Sequence, residues 1–150
     1  MTAIRFMSLG RKFMNVYASL TAPLCRKHGI NQTSFDILLF CANNPAHNTA
    51  RDIFEIRGIK SGIASVAVET LIQNGYLLRS TDPDDRRKHR LVPTEKATDI
   101  IRYGRAVQAY FEETLKQNIK EEEVIAFGSI AEKLEANLAL FGKKGDGVCL

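Results

Sequence analysis

Residues 58–97 read as a helix, a short strand and a cationic loop returning into a second strand, an order that few folds accommodate. Ala64, Ala67, Val68 and Leu71 recur at three- and four-residue steps, which places one apolar stripe on a helix starting near Ser61. Asn74-Gly75 ends that helix, because both residues tolerate a left-handed cap. Tyr76-Leu77-Leu78 then favours a strand, and Asp82-Pro83-Asp84-Asp85 is turn chemistry. Arg86-Arg87-Lys88-His89-Arg90 is a cationic loop, and Leu91-Val92 gives the return strand before Pro93-Thr94 opens the next helix. A helix joined directly to a basic hairpin predicts a winged helix-turn-helix.

The flanking segments are helical. Phe6, Leu9, Phe13, Val16, Tyr17, Leu20 and Leu24 mark a first helix that Pro23 should kink or end near Ala22, since proline lacks a donor and crowds the preceding turn. Gly29 terminates this region, and Asn31 or Thr33 caps a second helix carrying Phe35, Leu38, Leu39 and Ala42 toward a core. Asn43-Asn44-Pro45 stops it. Asn48 or Thr49 caps a short third helix that buries Ala50, Ile53 and Phe54 and leaves Arg51 and Arg57 outside. Beyond the hairpin, Thr94 caps a long helix with Ile100, Tyr103, Val107, Phe111 and Leu115 on its apolar face, running to about Asn118. Glu121-Glu122-Glu123 suits the positive end of a last helix, where Val124, Phe127, Ala131, Leu134, Leu138 and Phe141 show coiled-coil spacing. Apolar helical arms at both ends of the chain predict a homodimer.

A chain of 150 residues suits one structural domain. The fold class expected is mainly α with a small β-hairpin wing. Its parts are a first dimerisation helix (1–30), the winged helix-turn-helix (31–93), further dimerisation helices (94–142) and a flexible tail (143–150). The net charge of +4 favours an anionic partner, and the charge is local: the cations cluster at 86–90 and the acids at 121–123. No apolar run is long enough to span a membrane, and the start lacks a secretory leader. Cys25, Cys41 and Cys149 fit no metal or CxxC spacing, so a reducing cytoplasm and no metal or cofactor are expected. His28, His47 and His89 are dispersed, and Gly58-Ile59-Lys60-Ser61-Gly62 lacks the phosphate-loop pattern, so an enzyme is not expected.

The run LIQNGYLLRSTDPDDRRKHRLVPTEKA resembles the wing of the MarR family of bacterial transcriptional regulators, with its D-P-x-D-R-R and T-E-K elements. Pro93 stands where leucine is usual and Ala97 where glycine is common. The resemblance implies a dimeric regulator, most simply a repressor, bound to a pseudo-palindromic duplex operator and released by a small aromatic or anionic effector or by oxidation. Arg86 matches the arginine that enters the minor groove, and Asp84 or Asp85 the acid that braces it. Arg87, Lys88 and Arg90 add phosphate contacts.

On the recognition helix the candidate contacts are Lys60, Ser61, Gly62, Ser65, Val66 and Thr70. That helix has no arginine, lysine, asparagine or glutamine before Gln73, so direct reading of guanine or adenine is poor. Ile63 and Val66 either pack against neighbouring helices or face outward, where they could touch thymine methyls. The family's effector crevice suggests Arg11, Tyr17, Phe35 and Phe40 as ligand-pocket residues. Cys25 is the redox candidate, its thiolate favoured by Arg26, Lys27 and His28. The alternative to a sequence-specific regulator is a winged-helix protein-interaction module with only non-specific DNA binding.

Overall fold

The computed structural model describes residues 2–82 and 85–143, the side chains of Ala3 and of 141–143 aside. The chain divides into two compact units, Met1–Phe111 and Glu112–Leu150. In the first unit the order is α1 (Ala3–His28), α2 (Gln32–Asn43), α3 (Ala50–Arg57), α4 (Ser61–Gln73), β1 (Leu77–Thr81), β2 (His89–Pro93), a 3-10 turn (Glu95–Ala97) and most of α5 (Thr98–Leu115). The second unit holds the end of α5 and α6 (Glu121–Lys143). The expected boundary of the tail falls at the last residue of α6, and 144–150 lie outside the described residues.

The helix ends follow local chemistry. Gly29 ends α1 at φ 65°, Gly58 ends α3 at φ 63°, and Gly75 turns the chain after α4 at φ 74°. Asn74 keeps a right-handed conformation, so glycine alone supplies the left-handed residue. Asn31 caps α2, its Oδ1 accepting from the Ser34 N–H at 2.8 Å. Thr49 caps α3 in a reciprocal box with Asp52: the Asp52 N–H donates to Thr49 Oγ1 at 3.2 Å and the Thr49 N–H to Asp52 Oδ2 at 2.9 Å.

The core lies under the helix-turn-helix. Phe35, Ile37, Leu38 and Leu39 of α2 meet Ile53 of α3 and Ala64, Ala67, Val68 and Leu71 of α4. Leu77, Leu91 and Ile100 close it from the hairpin and α5. β1 and β2 pair antiparallel in the register Leu77↔Pro93 to Thr81↔His89, so both buried strand residues reach the core.

Several expectations are corrected. Pro23 does not end α1, which continues to His28. The proline forfeits one backbone bond, while Leu24 and the buried Cys25 beyond it pack on the core and hold the last turn. Ala50 and Phe54 are exposed, because the eight-residue α3 turns only Ile53 inward. Thr94 does not cap a helix with its side chain; its hydroxyl donates to the Gly75 carbonyl at 2.6 Å, and the following residues form a 3-10 turn before α5. α5 stops at Leu115, short of Asn118, which takes a left-handed φ of 61°.

Candidate nucleic-acid interface

α4 presents two unlike faces. Ala64, Ala67, Val68 and Leu71 are buried, while Ser61, Gly62, Ile63, Ser65, Val66 and Glu69 are exposed. Ile63 and Val66 therefore face outward rather than packing on neighbouring helices. Lys60, at the helix start, makes no side-chain cap and stays exposed. Thr70 is half-buried, and its hydroxyl donates to the Val66 carbonyl of its own helix at 2.9 Å.

The wing is fastened to the helix-turn-helix at two places. At its root, Arg79 of β1 pairs with Glu69 of α4 at 2.7 Å. On the returning strand, Arg90 Nε donates to Asp82 Oδ2 at 2.7 Å and its Nη1 donates to the Pro45 carbonyl at 2.8 Å. Thr49 and Arg90 form a β-bridge, and the Leu91 N–H donates to the Asn48 carbonyl at 2.9 Å. The hairpin is thus an extension of the loop that caps α3. Arg90 belongs to this clamp: its guanidinium pairs with a carboxylate whose side chain is 7% exposed, while its own side chain stays 31% exposed.

The wing tip closes on acidic side chains. The Asp85 N–H donates to Asp82 Oδ1 at 3.2 Å, and the Arg87 N–H to Asp85 Oδ1 at 3.0 Å. Asp85 is spent on this backbone turn and not on bracing Arg86, while Asp84 lies outside the described residues. Arg86, Arg87 and Lys88 are exposed, and neither they nor Lys60 form an ion pair with a described residue. Between the wing and the start of α3 lies a groove of about 660 Å³, lined among others by His47, Arg51, Arg87, Lys88 and His89. Arg51 is balanced there by Glu55 at 2.7 Å. Burial pushes the Asp52 carboxyl up, but the hydrogen bonds from the Thr49 hydroxyl and N–H outweigh it and hold the group below the usual carboxylate range.

Arg79, Glu69, Asn48 and Asp82 were not among the sequence candidates. Their partners lie eight to forty-three positions away and meet only once the hairpin closes. Only Thr49 and Asp52, a Thr-x-x-Asp capping pair, carried a local signal.

Phe35 is 0% exposed and Phe40 8%, both filling the core, whereas Arg11 is exposed. The Tyr17 hydroxyl accepts from Gln108 Nε2 at 3.0 Å, and its ring lies 5.5 Å from that of Phe111. A cleft of about 470 Å³ lies elsewhere, lined by Leu20, Pro23, Leu24 and Lys27 of α1 and by Tyr103, Ala106, Val107 and Tyr110 of α5.

Cys25 is buried, and desolvation pushes its thiol up, helped by the Asp36 carboxylate and opposed only weakly by Arg26. Cys41 is pushed up to about 12 by burial and by Asp52. Among the described residues no three His, Cys, Asp or Glu side chains cluster to hold a metal, and no helix is long and apolar enough to cross a membrane.

Residues 30–89 match the model of the MarR family. No curated protein matches the sequence. Among solved structures, a MarR protein from Peptoclostridium difficile superposes with a TM-score of 0.78 at 18% identity, covering 97% of this chain and 94% of that one. A protein from Listeria monocytogenes assigned to the MarR family of transcriptional regulators, complexed with 26mer DNA, gives 0.79 at 19% identity over 100% and 99% of the two chains. The S. aureus MepR–DNA complex gives 0.76 at 14% identity over 92% and 96%. The expected fold, a mainly helical chain with a two-stranded wing, is the fold these proteins share.

Proposed function

We propose that this MarR-type chain is a sequence-specific DNA-binding transcriptional regulator, acting in the cytoplasm as a homodimeric repressor on a pseudo-palindromic duplex. The observation that carries this reading is the wing. Its Arg86, Arg87 and Lys88 stand exposed and unpaired with described residues, on a hairpin anchored to the helix-turn-helix by Arg79–Glu69 and Arg90–Asp82. Cations held out on a rigid support meet a phosphate backbone without first breaking internal pairs. Two of the similar structures are DNA complexes, which supports the same partner.

In this reading residues 31–93 engage DNA, while 1–30 and 94–142 hold the dimer. α4 enters the major groove with Lys60, Ser61, Gly62, Ser65, Val66 and Thr70 at the contact. Arg86 enters the flanking minor groove, drawn by its negative potential. Arg87, Lys88 and Lys60 contact phosphates. Release follows when a small aromatic or anionic effector favours a different separation of the two reading heads. The burial of Cys25 and Cys41, which pushes both thiols up, supports such an effector over oxidation.

The test is Arg86→Ala. Its affinity for a cognate duplex should fall more than tenfold, or about 1.4 kcal/mol. Unchanged binding across a salt titration removes the wing from the mechanism. A second reading, a protein-interaction module with only non-specific DNA binding, draws on the apolar outer face of α4. Selection from random duplexes separates the two: an enriched palindrome supports the regulator, and unselective recovery supports the module.

A further inference from the structure

The outward face of α4 is aliphatic where base reading would ordinarily need long polar side chains. At about 100° per residue, Val66 stands nearly opposite the buried stripe of Ala64, Ala67, Val68 and Leu71. It is 69% exposed, and Ile63 is 54% exposed. One turn before Val66, a Cβ added at Gly62 would meet nothing within 4 Å, so nothing on that side shields the valine. Two of the polar groups nearby are already engaged: Thr70 donates to the Val66 carbonyl, and Glu69 is paired with Arg79. Beside the two aliphatic side chains runs a shallow groove of about 290 Å³, with Asn31 and Thr33 on its far wall.

The surroundings identify the occupant. Lys60 opens the helix, and the exposed Arg86, Arg87 and Lys88 stand on the wing clamped to it, so the surface is apolar at its centre and cationic at its margin. A duplex offers the complement, phosphates outside and base edges within. On those edges the one apolar group in the major groove is the thymine 5-methyl. We propose that Ile63 and Val66 read thymine methyls, so that this chain selects half-sites by the placement of thymine and not by guanine contacts. The inference rests on the DNA-binding reading and deepens it. Ser61 and Ser65, whose hydroxyls bond donors and acceptors alike, add contacts without fixing base identity.

The experiment begins with duplexes selected from a random pool by the full chain. Each thymine of the selected half-site is then replaced singly with deoxyuridine, which keeps every hydrogen-bonding group and loses only the methyl. Binding should weaken about fourfold at one or two positions per half-site, the factor expected for one buried methyl-sized group. In Ile63→Ala or Val66→Ala the same replacements should cost nothing further. Both side chains are exposed, so these variants are expected to fold, and an unchanged circular dichroism melt confirms it. A selected duplex that tolerates deoxyuridine everywhere overturns the thymine inference alone. Failure to enrich any duplex overturns the regulator reading and this inference with it. Self-association lost in Val66→Ala overturns it too, by assigning the face to a second copy.

Discussion

Arg86 and Arg90 are four residues apart in one cationic run, yet they do different work. Arg90 is turned inward to Asp82 and the Pro45 carbonyl, whereas Arg86 is exposed at the wing turn. Arg90→Ala removes the guanidinium that offsets burial of the Asp82 carboxylate, and should lower stability by about 1–3 kcal/mol. A reduced urea midpoint is the expected reading, and an unmoved midpoint would show the clamp to be idle. Arg86→Ala should leave the same midpoint in place while binding falls. Composition cannot distinguish the two arginines. Asp82 lies eight positions before Arg90 and meets it only because the hairpin register sets Thr81 opposite His89. The exposure of Arg86, Arg87 and Lys88 was legible from a run too polar to bury. The Arg79–Glu69 pair, split between a strand and a helix, was not.

At the level of elements, most of what was legible came from punctuation. Asn31, Thr49, Gly29, Gly58 and Gly75 cap or turn the chain where their side chains, or lack of one, predict. Pro23 does not end α1, because its local cost is outweighed by the packing of Leu24 and Cys25, which no local rule contains. Gly104 went unremarked for a similar reason. It sits inside α5, where glycine is a poor helix former, and no turn calls for it. Its role is close approach: a Cβ there would meet Leu39 Cδ1 at 2.8 Å, Leu39 Cδ2 at 2.9 Å and Phe35 Cε2 at 3.1 Å. Leu39 is 1% exposed and Phe35 0%, so neither has space to retreat. The same contact zone is tied by Arg105, which donates to Asn43 Oδ1 at 2.8 Å and to the Ala42 carbonyl at 3.0 Å. Gly104→Ala should therefore destabilise the protein. Overpacking costs about 1–3 kcal/mol, and the better helix propensity of alanine returns up to about 1 kcal/mol of it. A lower denaturant midpoint with an unchanged slope is the expected reading. A higher midpoint would mean that α5 can lift off α2 without cost.

For the molecule as a whole, the question is what covers its long helices. In the first unit α1 leaves Ile4, Met7, Met14 and Val16 more than half exposed. In the second, α6 does the same with Ile125, Phe127, Ile130, Leu138 and Leu140. Exposed apolar side chains in this number on a lone protomer favour association with a second copy. A dimer also serves the proposed function, because two recognition helices must reach major grooves about one turn of duplex apart. Sedimentation should therefore give twice the 16.8 kDa chain mass, and the melting temperature should rise with protein concentration. Leu138→Glu places a charge among the exposed apolar side chains of α6 and should shift the chain toward the monomer. The helix-turn-helix core lies in Met1–Phe111 and does not include Leu138, so the monomer should keep its folded reading head. Its affinity for a full palindrome should then fall by about 10²–10⁴, the loss expected when paired sites become independent, while binding to a single half-site changes little. If Leu138→Glu lost half-site and palindrome binding in equal measure, α6 would be supporting the reading head itself and not the pairing of two.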